Sequence, residues 1–202
     1  MSVVAKLDSW DGKTAVILAH GAGQDMDSPF MTYFHTELAA RGLLSVKFNF
    51  EYMEQKRKMP DPQPKLQARY RSVIGEVIET YKPAHVVIGR KSMGGRVASY
   101  IANTTAGVDG LVFLGYPLHP PGKPDQPRDE HLYALDLPML FISGARDSFA
   151  SRNELEGVAR KIGERATLVW IEGGDHSLKV GKDAKESLRN AVDLIEQWIK
   201  KL

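Results

Sequence analysis

The chain has 202 residues, 43% hydrophobic and 26% charged, with a formal net charge of +2 and no cysteine. This length suits a single domain over 1–202 that buries a sizeable core, and the near-neutral balance leaves no electrostatic footprint for nucleic acid or an anionic membrane. The lack of cysteine excludes disulfides, thiolate metal ligands and a cysteine nucleophile; with no signal-peptide pattern and no apolar run near the ~18 residues of a membrane span, the default expectation is a cytoplasmic protein.

In chain order, Ser2–Leu7 is a weak run that suits an antiparallel edge strand. Thr14–Ala19 reads as a buried strand and ends in the turn residues His20-Gly21-Ala22-Gly23. Pro29–Ala40 follows as a helix, with Ser28 placed to cap it, Pro29 at its first position and Gly42 to stop it. Leu44–Phe48 is a strand. Glu51 to Pro64 is a polar, proline-bearing loop, and its Lys56-Arg57-Lys58 cluster reads as a solvated surface. Lys65–Tyr81 is helical, with Leu66, Tyr70, Val73, Ile74, Val77 and Ile78 on one face, and Pro83 breaks it.

His85–Gly89 is a strand, and Met93–Asn103 the helix after it. Val108–Leu114 is a strand, Tyr116 to Asp136 is irregular and proline-rich, and Pro138–Ser143 is a strand. Arg152–Ile162 is a helix, Ala166–Ile171 the last strand and Lys182–Leu202 the last helix, with Leu188, Val192, Ile195, Trp198 and Ile199 inward. This alternation predicts an α/β fold: a mostly parallel twisted sheet with helices on both faces.

In such a sheet, ligands sit beyond the C-terminal ends of the strands, and four segments fall there. Ser92 lies between an apolar run and the glycines of Lys91-Ser92-Met93-Gly94-Gly95. This pattern lifts a serine onto a sharp strand-to-helix turn, exposing its hydroxyl beside the free N–H groups of the first helical turn. The alternative is that the glycines serve only tight packing. The turn at Gly21–Gly23 can bring backbone N–H groups to an oxyanion, each contributing about 3–4 kcal/mol in the transition state. Ala22 and Met93 are the expected donors, Gly21 a substitute, and a plain turn is the alternative. His20 reads as an anchor of this loop.

Asp147 can orient a histidine by accepting a hydrogen bond from its ring, or else serve a helix start, where Ser151 is better placed. His176 follows the last strand and is the natural base for a serine hydroxyl, unless it is merely solvated. Asp175, its sequence neighbour, reads as a turn residue. The order Ser…Asp…His, each beyond a strand, is the order of α/β-hydrolases.

On these residues the chain resembles the α/β-hydrolase superfamily. Within it, the chain is similar to the dienelactone-hydrolase-like branch containing testis-expressed protein 30 and the NSL-complex subunit 3-like proteins. The stretches that carry this are AHGAG (19–23), FNFEYME (48–54), KSMGGR (91–96), GYPLHPPGKP (115–124), GARDSF (144–149) and GGDHSL (173–178). The resemblance implies an eight-strand or slightly trimmed sheet, Ser92 as nucleophile, His176 as base, Asp147 as its orienting acid and an oxyanion hole at Gly21–Gly23. It implies no metal and no cofactor. Literal dienelactone hydrolases use a cysteine, which this chain lacks.

The family pattern places a small residue two before the serine; here that residue is Arg90, with glycine one earlier at Gly89. Arg90 either bends outward on its flexible stem or reaches into the site as a substrate contact. The short, proline-rich segment from Gly115 to Pro138 replaces a helical lid, which disfavours long-chain lipids. His119, Arg128 and His131 are candidate entrance residues for a polar or anionic acyl substrate, or else parts of a rigid surface loop. The expected activity is hydrolysis of a small soluble ester or thioester. A non-catalytic binding module on the same fold, and an acyltransferase or peptidase using the same three residues, are the competing readings.

Overall fold

Short apolar strands, most of them followed by a helix, build a seven-stranded sheet in the computed structural model, which describes residues 2–6, 10–181 and 184–202. The strands are β1 (Ser2–Ala5), β2 (Thr14–Ala19), β3 (Leu44–Phe48), β4 (His85–Lys91), β5 (Gly110–Leu114), β6 (Met139–Gly144) and β7 (Ala166–Ile171). Their spatial order is β1-β3-β2-β4-β5-β6-β7. Only β1 runs antiparallel, against β3 at the edge; all other pairings are parallel. The edge-strand expectation for Ser2–Leu7 therefore holds over Ser2–Ala5, and Leu7 lies outside the described residues.

The helices are α1 (Pro29–Ala40), the single turn α2 (Glu51–Glu54), α3 (Gln63–Tyr81), α4 (Met93–Ile101), α5 (Arg152–Ile162) and α6 (Lys185–Ile199). Period-2 alternation in the strands splits the core into two layers. Ile17 and Ala19 of β2 face α3 and α4, packing with Val73 and Val97. Val16 and Leu18 face α1 and α6, packing with Phe34 and Val192. Among the described residues no helix is long and apolar enough to cross a membrane.

Several boundaries differ from the sequence-based expectation. Helix α3 begins at Gln63 rather than Lys65, with Pro64 inside its first turn. Proline is tolerated there because that N–H has no intrahelical partner. Residues 51–54 form a helical turn where a loop was expected. Helix α4 ends at Ile101 and passes into a 3-10 turn over Ala102–Thr104. Ser28 occupies the cap position of α1 but makes no side-chain capping bond. Strand β4 runs to Lys91 rather than stopping at Gly89, which places Arg90 inside the sheet, in register with Ala19 and Phe113. The last helix starts at Lys185; the expected start, Lys182, lies outside the described residues. Between β5 and β6 the chain contains one 3-10 turn, Glu130–Ala134, and no helical lid.

Candidate active site

Ser92 sits between the end of β4 and the first residue of α4, with φ 52° and ψ −119°. Such a conformation is costly for a residue with a Cβ and persists only when its surroundings impose it. Gly89 supplies part of that frame. Its φ is 146°, and a Cβ there would lie 2.0 Å from the Val112 carbonyl oxygen of β5. The crowding that the small residue of this motif relieves therefore falls at Gly89, and Arg90 keeps the regular parallel pairing of β4.

Tyr70 on α3, fully buried, completes the frame. Its hydroxyl accepts from the Gly89 N–H at 2.9 Å and lies 2.9 Å from the Ile17 carbonyl and 3.0 Å from the Gly89 carbonyl. The hydroxyl thus serves backbone groups on both β2 and β4 just below the serine turn. The periodicity of α3 identified Tyr70 only as a core residue; its polar role depends on a contact 19 residues distant.

Asp147 follows β6, and its carboxylate is fully buried. His176 follows β7. The two side chains meet: His176 Nδ1 lies 2.8 Å from Asp147 Oδ2, while the other carboxylate oxygen accepts from the Phe149 N–H at 2.8 Å. The carboxylate is acceptor-only, so the histidine carries its proton on Nδ1 and presents Nε2 as the basic nitrogen. The Phe149 ring covers the imidazole, with centroids 4.3 Å apart. Gly115, at the end of β5, makes room for this pair; a Cβ there would lie 3.1 Å from His176 Nδ1 and 3.3 Å from Asp147 Oδ2. Asp175 instead folds its own turn, accepting from the Ser177 and Lys179 N–H groups at 2.7 and 3.0 Å.

The loop after β2 is anchored by His20, which is fully buried. Nε2 accepts from the Phe50 N–H at 3.2 Å, and Nδ1 donates to the Gly21 carbonyl at 2.9 Å. Burial pushes its pKa down, holding the ring neutral. Because the peptide is trans, fixing the Gly21 carbonyl toward His20 directs the Ala22 N–H to the opposite side. Gly21 itself approaches the nucleophile candidate: a Cβ on it would lie 3.7 Å from Ser92 Cβ.

These parts converge on one cavity of about 620 Å³, whose wall includes Gly21, Ala22, Ser92, Met93 and His176. No hydrogen bond joins Ser92 Oγ to His176 Nε2 among the described residues; in unliganded sites this bond is commonly long and tightens with substrate. A side-chain bond does tie the serine and histidine loops together: Lys91 Nζ donates to Ser177 Oγ at 2.8 Å and lies 4.9 Å from the centre of the Phe30 ring.

A family model described as an α/β-hydrolase domain matches residues 12–200. The chain belongs to the α/β-hydrolase family. Solved structures agree in fold. An α/β serine hydrolase homologue from Coxiella burnetii superposes with a TM-score of 0.76 at 16% identity, covering 100% of this chain and 90% of that one. A lidless α/β serine hydrolase from Xanthomonas campestris gives 0.76 at 17% identity, covering 99% and 88%. A dienelactone hydrolase from Anabaena variabilis gives 0.72 at 18% identity, covering 99% and 90%.

Loop residues Pro117, His119 and Pro121, from the segment between β5 and β6, complete the cavity wall of this α/β-hydrolase. His119 lies in its wall, 6% exposed, with Nδ1 2.9 Å from the Pro120 carbonyl oxygen and Nε2 3.7 Å from Glu154 Oε2. Arg128 also lines the cavity. The substrate-contact expectation for Arg90 concerns its side chain, which lies outside the described part of the chain. His131 is not in the cavity wall. Its Nε2 is 2.8 Å from Ser99 Oγ and its ring stacks on Tyr100 at 3.9 Å, so it fastens the 3-10 turn to α4. Burial first, then the Arg96 charge, push its pKa down to about 4, so it is neutral and not an entrance cation. Arg96, on α4, enters the cavity wall without having been singled out in the sequence, where it reads as one more polar position on a helix.

Proposed function

We propose that this α/β-hydrolase is a serine hydrolase, a carboxylesterase or thioesterase acting on a small soluble acyl substrate. Ser92 is the nucleophile, His176 the general base and Asp147 the acid that orients it. The observation that carries this reading is the buried Asp147–His176 hydrogen bond of 2.8 Å, made in the wall that also holds the strained Ser92 turn.

His176 Nε2 takes the Ser92 hydroxyl proton as Oγ bonds to the substrate carbonyl carbon. The oxyanion that forms is held by the N–H groups of Ala22 and Met93, with Gly21 as the alternative donor. When the tetrahedral species collapses, the bond to the leaving oxygen or sulfur breaks, and His176 passes its proton to that atom. Water then gives a proton to His176 and attacks the acyl-enzyme; the acid departs and Ser92 regains its proton. Throughout, Asp147 holds the imidazole in one tautomer and stabilises its transient positive charge. The residues quoted for the resemblance support a finer reading, membership of the dienelactone-hydrolase-like branch containing testis-expressed protein 30.

The test is turnover of short p-nitrophenyl esters and thioesters by the wild-type protein and by Ser92→Ala. The expected result is saturable hydrolysis by the wild type and a loss of at least about 10³-fold in kcat for the variant. Equal rates for the two proteins overturn the assignment of Ser92.

A further inference from the structure

Helix α4 starts at the nucleophile candidate and carries Arg96 one turn later. At 1.5 Å per residue, four residues advance about 6 Å along the axis, and i and i+4 share a helix face. Arg96 lines the same cavity as Ser92, and so does Arg128 from the proline-rich segment. Both are half-buried. Neither guanidinium makes an ion pair or a side-chain hydrogen bond among the described residues, and Arg96 Nε is fully buried with no partner.

The two arginines also sense one another. Desolvation and the charge of Arg96 both push the Arg128 pKa below the ordinary arginine range. Two like charges, partly withdrawn from water and unpaired, cost stability. An arginine that served only to cover apolar surface with its stem would extend its head into solvent, whereas Arg96 buries Nε. Asp61, the carboxylate in the same wall, pairs with other cations: its Oδ1 lies 2.6 Å from Arg57 Nη2, while its Oδ2, 3.7 Å from Lys65 Nζ, is buried without a hydrogen bond. Asp129, next to Arg128, accepts from the Tyr133 hydroxyl. Among the described residues no carboxylate pairs with either guanidinium, and a planar guanidinium is suited to two-point recognition of a carboxylate or phosphate.

We propose that Arg96 and Arg128 form an anion-binding subsite, so that the substrate cleaved at Ser92 is an ester or thioester bearing a carboxylate or phosphate about one helical turn from its reacting carbonyl. This rests on the hydrolase reading above. It goes beyond that reading by giving the substrate a charge and a place for it.

The experiment compares kcat/KM within two matched pairs of esters, after subtraction of spontaneous hydrolysis. The first pair is p-nitrophenyl hemiglutarate against p-nitrophenyl valerate, with the carboxylate on the acyl side. The second is 4-acetoxyphenyl phosphate against phenyl acetate, with the phosphate on the leaving side. The wild type is expected to favour the charged member of at least one pair by about tenfold or more, since charge-assisted hydrogen bonds to a guanidinium are stronger than neutral ones. Arg96→Gln and Arg128→Gln each bring that ratio down toward one, through KM rather than kcat, and Arg96→Lys retains part of it. Any loss of folded protein cancels from a ratio measured within one preparation. A wild-type ratio near or below one in both pairs overturns the subsite while leaving the hydrolase reading in place. No turnover of any of the four esters, together with no fluorophosphonate adduct, overturns the hydrolase reading and the subsite with it.

Discussion

Single atoms decide whether the serine turn can exist. The strained backbone of Ser92 needs a rigid strand below it, and Gly89 departs from regular strand geometry three residues before the serine. The departure turns the Gly89 N–H toward the buried Tyr70 hydroxyl. Tyr70→Phe removes that acceptor and leaves the N–H buried without a partner, at a cost of about 1–3 kcal/mol. Chemical denaturation checks this, and an unchanged midpoint contradicts it. The hydroxyl is invisible in a hydrophobic pattern, because a tyrosine on an apolar helix face looks the same whether or not its tip is used. Gly115 is equally silent in sequence: beside its φ of 67°, a Cβ there would meet the His176 carbonyl at 2.7 Å and the Asp147–His176 pair, 32 and 61 positions downstream in the chain. By contrast, Ser92, Asp147 and His176 were legible because each falls just after an apolar run, where an open parallel sheet gathers its ligands.

Elements carry these residues into register. The Asp147 loop leaves β6 and must turn into α5 within a few residues, and the start of α5 is fixed by a capping box. The Glu154 N–H donates to Ser151 Oγ, and the Glu154 carboxylate accepts from the Ser151 N–H at 2.8 Å. The bonds from Ser151 also hold the Glu154 carboxyl below its usual range. Ser151→Ala breaks this box, and a loss of about 1 kcal/mol in unfolding free energy is expected. No change in the denaturation midpoint contradicts the cap. Element identity was legible from periodicity and capping residues, and so were the bounds of β2, α1, β3, α5 and β7; other boundaries were not. Pro64 looked like a loop residue but sits in the first turn of α3, and β4 outruns its apolar stretch through Arg90 and Lys91 because sheet pairing on both sides holds polar residues in the strand.

For the whole molecule, two histidines, the buried His20 and the half-buried His131, link stability to pH. His20 and His131 are both held neutral in the folded protein, and both are charged in the unfolded chain below their ordinary value near 6.5. In that range the unfolded state binds more protons, so stability rises with pH. The contribution is therefore complete above about pH 6.5 and is lost as the pH falls toward about 4, the folded value of His131. Denaturation midpoints recorded between these limits are expected to fall on acidification, and His131→Gln to flatten part of the slope. A flat wild-type profile contradicts the linkage.

The same long-range assembly brings the loops after β2, β4, β6 and β7 to one cavity, and the central claim is that they do so around a nucleophile. Its most direct test is reaction with a fluorophosphonate, followed by intact mass and peptide mapping. A single adduct on Ser92, absent from Ser92→Ala and slowed strongly in His176→Ala, is the predicted result. A folded wild-type protein that takes up no adduct, or takes it up on another residue, contradicts it.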